Sequence, residues 1–105
     1  MRILFDQGTP VPLRRFLHPH EVDTANERGW GTLQNGNLLN QAEQDGYELL
    51  ITTDQNLQYQ QRLSSRKIRI IVLCTTSWPR IRQKVGLVSE AISRVPDQGY
   101  QEIHF

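Results

Sequence analysis

Leu49-Leu50-Ile51-Thr52-Thr53-Asp54-Gln55-Asn56 is an apolar run that ends abruptly on a carboxylate and two amides. A run of this length, bounded by polar residues and Gly46, fits a strand covered on both faces, as in a parallel sheet. The chain opens in the same way, with Arg2-Ile3-Leu4-Phe5 followed directly by Asp6. In an open α/β sheet the carboxyl ends of the strands share one edge, and ligands bind there. Asp6 and Asp54 are therefore candidates for one cation or acid/base site. The competing reading is that each caps the helix that follows it, a common role for Asp after a strand.

Outward from these two runs, strands alternate with helical segments. After Asp6-Gln7-Gly8, Thr9 is positioned as a helix cap with Pro10 at the first helical position. Helical spacing covers residues 11–17, which His18-Pro19-His20 ends. A short strand is expected at 21–25 and a Gly-rich loop or single turn at 26–33. A helix opens at Asn35-Gly36, buries Leu38, Leu39 and Ala42, and stops at Gly46. Strand 48–53, helix 56–63, strand 69–74, helix 79–93 and strand 101–105 complete the pattern. Such alternation implies βαβ crossovers and a three-layer α/β fold, with a mainly parallel five-stranded sheet flanked by helices.

With 105 residues the chain is expected to form one domain around one modest core. Its formal net charge of +1 argues neither for nucleic acid nor against it. The one cysteine, Cys74, has no internal partner and reads as a buried strand residue in a reducing, cytoplasmic compartment. No stretch approaches the ~20 apolar residues of a membrane span. The N-terminus reads as a strand rather than a signal peptide. His18, His20 and His104 are assigned to structure, and Trp30 and Trp78 to packing over the sheet edge. No Gly-rich phosphate fingerprint, nucleophile elbow or zinc pattern is present.

The strand ends offer oxygen ligands. Mg²⁺ and Mn²⁺ take one or two carboxylates plus neutral oxygens and water. Asp6 and Asp54 supply the carboxylates, and Asn35, Asn56, Thr75 and Ser77 the neutral oxygens, with Gln7 beside them. Gln55 to Gln61 is dense in amides around Tyr59, a composition suited to hydrogen bonding and stacking on nucleotides. Its alternative is a solvated polar helix face. Asn56, Tyr59 and Gln60 are thus candidate RNA contacts. Arg62, in the cluster Arg62, Arg66, Lys67 and Arg69, and Arg80 in the group Arg80, Arg82 and Lys84 are candidates for contacting phosphate.

Three stretches carry a resemblance: Ile3-Leu4-Phe5-Asp6-Gln7-Gly8-Thr9-Pro10, Gly29-Trp30 with Asn35-Gly36-Asn37-Leu38-Leu39, and Thr52-Thr53-Asp54-Gln55-Asn56-Leu57 with Tyr59-Gln60-Gln61. In this order and over nearly the whole chain they resemble the minimal PIN-like domain family, relatives of VapC-type toxins. The resemblance implies a PIN-like sheet between helices. It also implies a nuclease that hydrolyses RNA with Mg²⁺ or Mn²⁺, a small cognate antitoxin encoded nearby, and a tendency to homodimerise. Asp6 matches the acid after the first strand and Asp54 the acid after the third. The chain departs from many relatives at Gln7 and Asn35, where they carry further acids, and nothing acidic follows the fourth strand.

The leading expectation is a toxin-type ribonuclease in which Asp6 and Asp54 hold the metal and Asn35 and Asn56 orient water or phosphate. Arg62 or Arg80 offsets charge on the scissile phosphate. The missing acids suit a different class, a catalytically degenerate binding or interaction module. A third class is a receiver-like domain with Asp54 as phosphoacceptor, Asp6 as metal ligand and Thr75 or Thr76 beyond the fourth strand; the lack of a lysine after the last strand stands against it.

Overall fold

The structure is a computed structural model that describes residues 1–60, 63, 66–95 and 99–105, with the backbone only at Gln60. Five strands, β1 (Arg2–Phe5), β2 (Glu21–Thr24), β3 (Leu49–Thr52), β4 (Arg69–Leu73) and β5 (Tyr100–Ile103), form one sheet in the order β2-β1-β3-β4-β5. Every pairing is parallel. The central strands are apolar at successive positions because both of their faces are covered.

Alternation along the strands sorts the core into two layers. Ile3, Phe5, Leu49, Ile51, Ile71 and Leu73 face Leu13 and Leu17, the short helix α3 (Trp78–Gln83) through Ile81, and α4 (Val85–Arg94) through Val88, Ala91 and Ile92. On the other face, Leu4, Leu50, Ile70 and Val72 meet Leu38, Leu39 and Ala42 of α1 (Asn35–Gln44) and Leu57 of α2 (Leu57–Gln60). The expected three-layer arrangement therefore holds.

The helix α1 ends where the sequence places the stop. Gly46 has φ +82°, the Gly46 N–H donates to the Glu43 carbonyl, and the Tyr47 N–H donates to the Ala42 carbonyl. This is a Schellman closure, and Tyr47 then packs in the same core layer as Ala42.

Three local expectations need correction. Residues 11–17 form a 3-10 helix, Val11–Phe16, rather than an α-helix. Pro10 and Pro12 lack N–H donors, and only Leu13 in this turn is buried, so little packing holds a longer α-helix together. Thr9 does not cap that turn; its hydroxyl is buried and donates to the Ile51 carbonyl at 2.9 Å, and Pro10 stands at the cap position. The single helix expected at 79–93 is two helices, broken at Lys84 with φ −132° and ψ 34°. The first packs on the 3-10 helix, where the Trp78 and Phe16 rings lie 5.9 Å apart, and the second packs on β5 as well. Two packing targets turn the chain at Lys84.

Candidate metal and phosphate site at the carboxyl edge

After β1 the chain passes to β2 on one side, then crosses back to β3 on the other side of β1. The carboxyl ends of β1 and β3 thus border the point where strand order reverses, the usual ligand crevice of an open α/β sheet. Asp6 follows β1 and Asp54 follows β3 by two residues. The Asp6 N–H continues the ladder by donating to the Ile51 carbonyl at 3.0 Å, which sets Asp6 beside Thr52.

Thr52 connects the two acids. Its side chain is fully buried, donates to Asp6 Oδ2 at 2.8 Å and accepts from the Asp54 N–H at 3.1 Å. Asp6 Oδ1 accepts from the Gln7 N–H at 2.7 Å. Asp54 Oδ1 accepts from the Asn56 N–H at 2.9 Å, and Asp54 Oδ2 accepts from Asn35 Nδ2 at 2.8 Å. Among the described residues each of these carboxylate oxygens accepts a bond from a neutral donor, and an ionised carboxylate oxygen can take a further partner. Among the described residues neither acid has an ion pair. Asn35 is the first residue of α1, whose amino end carries partial positive charge toward Asp54.

The turn after β1 is tight for a packing reason. The Thr9 N–H donates to the Asp6 carbonyl at 3.0 Å, closing the turn over Gly8. A Cβ on Gly8 would lie 2.4 Å from Thr53 Oγ1, so a larger residue there would require the Thr53 side chain or the turn to shift. An open depression of about 400 Å³ lies beside Asp6, lined also by Gln7, Thr9, Thr24 and Glu27.

Asp6, Asp54, Asn35, Asn56 and Gln7 are therefore linked into one hydrogen-bonded group, with Gln7 and Asn56 entering through their backbone N–H groups. Capping and site formation coincide at Asp54, which orders the entry to α2 with one oxygen. Thr75 and Ser77 have local work: Thr75 Oγ1 accepts from the Ser77 N–H at 3.1 Å, and Ser77 Oγ caps α3 by accepting from the Arg80 N–H at 3.4 Å. Arg80 and Tyr59 are exposed, Tyr59 to 80%. Arg62 and the side chain of Gln60 lie outside the described residues.

Glu43, on α1, serves the fold rather than this site. It accepts from Arg66 at 2.8 Å and from the Lys67 N–H at 2.8 Å, tying α1 to the start of β4. Trp30 packs edge-on against Tyr47 with ring centroids 6.0 Å apart, and the Arg28 guanidinium lies 4.6 Å from its ring centre. Cys74 is not the buried strand residue expected: it follows β4, is partly exposed, and faces His104. Thr52 was visible in the sequence only as a strand residue. A hydroxyl in an otherwise apolar run, two positions before Asp54, is the signal that marks it.

Compared with models of known families, with curated proteins and with solved structures, the chain matches none.

The donor chemistry fits a hard divalent cation. Carboxylate and amide oxygens are the ligands Mg²⁺ and Mn²⁺ take, and the two carboxylates lack a cationic side chain among the described residues. Two acids are enough to hold one ion, with water filling the remaining positions.

Proposed function

We propose that this chain is a PIN-like, Mg²⁺- or Mn²⁺-dependent endoribonuclease of toxin type, acting through Asp6 and Asp54. The observation that supports it is the Thr52 hydroxyl, which ties both acids together at the reversal of strand order. When bound, the metal supplies Lewis-acid charge and an activated water. Asp6 and Asp54 hold it, and Thr52 fixes the orientation of Asp6. Asn35 restrains Asp54 and orients the phosphate or water, while Tyr59 offers a ring for stacking on a base and Arg80 a charge for the backbone. A small antitoxin and a second copy of the chain are the protein partners this reading implies. No helix among the described residues is long and apolar enough to cross a membrane.

The test is cleavage of a structured RNA with Mg²⁺ or Mn²⁺, compared among wild type, Asp6→Asn and Asp54→Asn. Metal-dependent cleavage lost in both folded variants supports the reading. Cleavage unchanged in both would sink it, and an inactive wild type that still binds RNA would make the chain a binding module.

One observation favours a second reading. The order β2-β1-β3-β4-β5 is that of doubly wound flavodoxin-like sheets, and Asp6, Asp54 and Thr75 follow β1, β3 and β4 as in a receiver domain. The chain carries His104, not lysine, after β5. Incubation with acetyl phosphate decides: no label on Asp54 removes this reading.

A further inference from the structure

Where β4 and the edge strand β5 pair, three unlike ligand groups converge. Cys74 follows β4, Glu102 lies in β5, and His104 follows β5. The Cys74 N–H donates to the Ile103 carbonyl at 2.9 Å, which extends the parallel register and brings Cys74 level with His104. Glu102 and His104 are two residues apart on an extended segment, so both point to the face that Cys74 occupies. His104 Nε2 stands 4.0 Å from Cys74 Sγ and 3.8 Å from Glu102 Oε1. One ligand atom from each residue lies within 4.8 Å of both others.

We propose that Cys74, Glu102 and His104 form a binding site for a thiophilic divalent cation of the Zn²⁺ class. Zn–S of about 2.3 Å and Zn–N or Zn–O of about 2.0–2.2 Å at tetrahedral angles place ligand atoms ~3.5 Å apart. The observed separations at His104 need to close by only a few tenths of an ångström. The His104 side chain is 76% exposed, so the imidazole can swing while the strand stays in register. Thiolate, imidazole and carboxylate together select Zn²⁺ over Mg²⁺ and Mn²⁺, which prefer oxygen alone.

The carboxylate is already oriented. Tyr100 donates to Glu102 Oε2 at 2.9 Å and Gln58 to the same oxygen at 3.3 Å, leaving Oε1 toward His104. Burial, and then the bond to Glu102, push the Tyr100 hydroxyl well up, so it remains a donor. Partners of this kind behind a ligand raise its affinity by fixing its direction. Burial, and then the neighbouring Glu102, push the Cys74 thiol up as well. Binding forms one metal–sulfur bond and releases the thiol proton to solvent. Three protein ligands leave the fourth position to water or to an exogenous group, the arrangement of an open rather than a closed zinc site.

The experiment is Co²⁺ and Zn²⁺ titration of the reduced, metal-stripped chain. It is read by the thiolate-to-cobalt charge-transfer band and by Zn²⁺ competition against a chromophoric chelator. Wild type is expected to show the band at one equivalent. Cys74→Ser abolishes the band, and His104→Ala weakens Zn²⁺ binding by more than about 100-fold. Tyr100→Phe weakens it by about 10-fold, the size expected for loss of an orienting partner. Asp6→Asn leaves both readouts unchanged, which separates this site from the one proposed for Mg²⁺ or Mn²⁺. Absence of the charge-transfer band in folded wild type overturns the proposal. So does Zn²⁺ affinity unaltered by both Cys74→Ser and His104→Ala.

Discussion

Thr52 Oγ1 lies 2.8 Å from Asp6 Oδ2, and the same oxygen accepts from the Asp54 backbone at 3.1 Å. One buried hydroxyl thus joins the ends of two neighbouring parallel strands and sets both acids relative to the sheet. Thr52→Val keeps the shape and removes the donor and the acceptor together. We expect a loss of about 1–3 kcal/mol in denaturant unfolding, because Asp6 loses its buried donor and the Asp54 N–H its acceptor. Metal affinity at Asp6 should fall as well, and Thr52→Ser should restore much of both. A valine variant as stable and as active as wild type would remove Thr52 from any part in the site.

Asn35 occupies a position from which an acid would reach Asp54, since its amide already lies 2.8 Å from that carboxylate. Asn35→Asp replaces that donor with a like charge. Without metal the variant should lose about 1–2 kcal/mol of stability near neutral pH, from a lost charge-assisted bond and added repulsion. Mg²⁺ should then stabilise it more than it stabilises wild type, since the metal relieves the repulsion. Thermal unfolding with and without Mg²⁺ checks this; equal metal-induced shifts in the two proteins would contradict it.

The bond from Glu43 to Arg66 and Lys67 predicts a pH dependence. Burial pushes the Glu43 carboxyl up, but the Arg66 guanidinium, the Lys67 N–H and the Ile68 N–H outweigh it and hold the group below its ordinary value. A depressed folded-state value means that the unfolded chain takes up the proton first as pH falls. The contribution is therefore fully present above the ordinary carboxylate range and is lost as pH drops through the lowered folded value. Glu43→Gln should cost about 1 kcal/mol near pH 7, and the difference from wild type should shrink in acid. Urea unfolding at several pH values reads it, and a difference constant with pH would assign the loss to packing alone.

Gly46 closes α1 with φ +82°, a conformation that side chains with a Cβ adopt at a cost. A Cβ there would also lie 3.3 Å from Arg2 Nη1. Gly46→Ala should destabilise by about 1 kcal/mol, and Gly46→Asn by less, as Asn tolerates the left-handed region better. An alanine variant of wild-type stability would show that the helix can end in another way.

The strand runs were legible because residues buried on both faces must be apolar whatever their neighbours are. The bounds of α1 were legible because its start at Asn35-Gly36 and its Gly46 stop are set by local backbone chemistry. The break at Lys84 was not, because the apolar spacing runs on through it and only the direction of the packing partners interrupts the helix. Thr9 was misread for a similar reason: a Thr before a proline looks like a cap until the Ile51 carbonyl is brought beside it by a strand 42 residues away.

At the site, Asp6 and Asp54 were readable because each follows an apolar run, and position after a strand is a property of the chain alone. Their connection through Thr52 depends on the pairing of β1 with β3, which no local pattern encodes. The same holds for Cys74 and His104, 30 residues apart and level only because β4 and β5 pair in parallel register. Sequence by itself determined the strands, the bounds of α1 and the acids at the strand ends, since these follow from local periodicity and burial. Tertiary structure decided strand order and register, and with them which side chains meet, because contacts between distant segments are settled by the packing of the whole sheet.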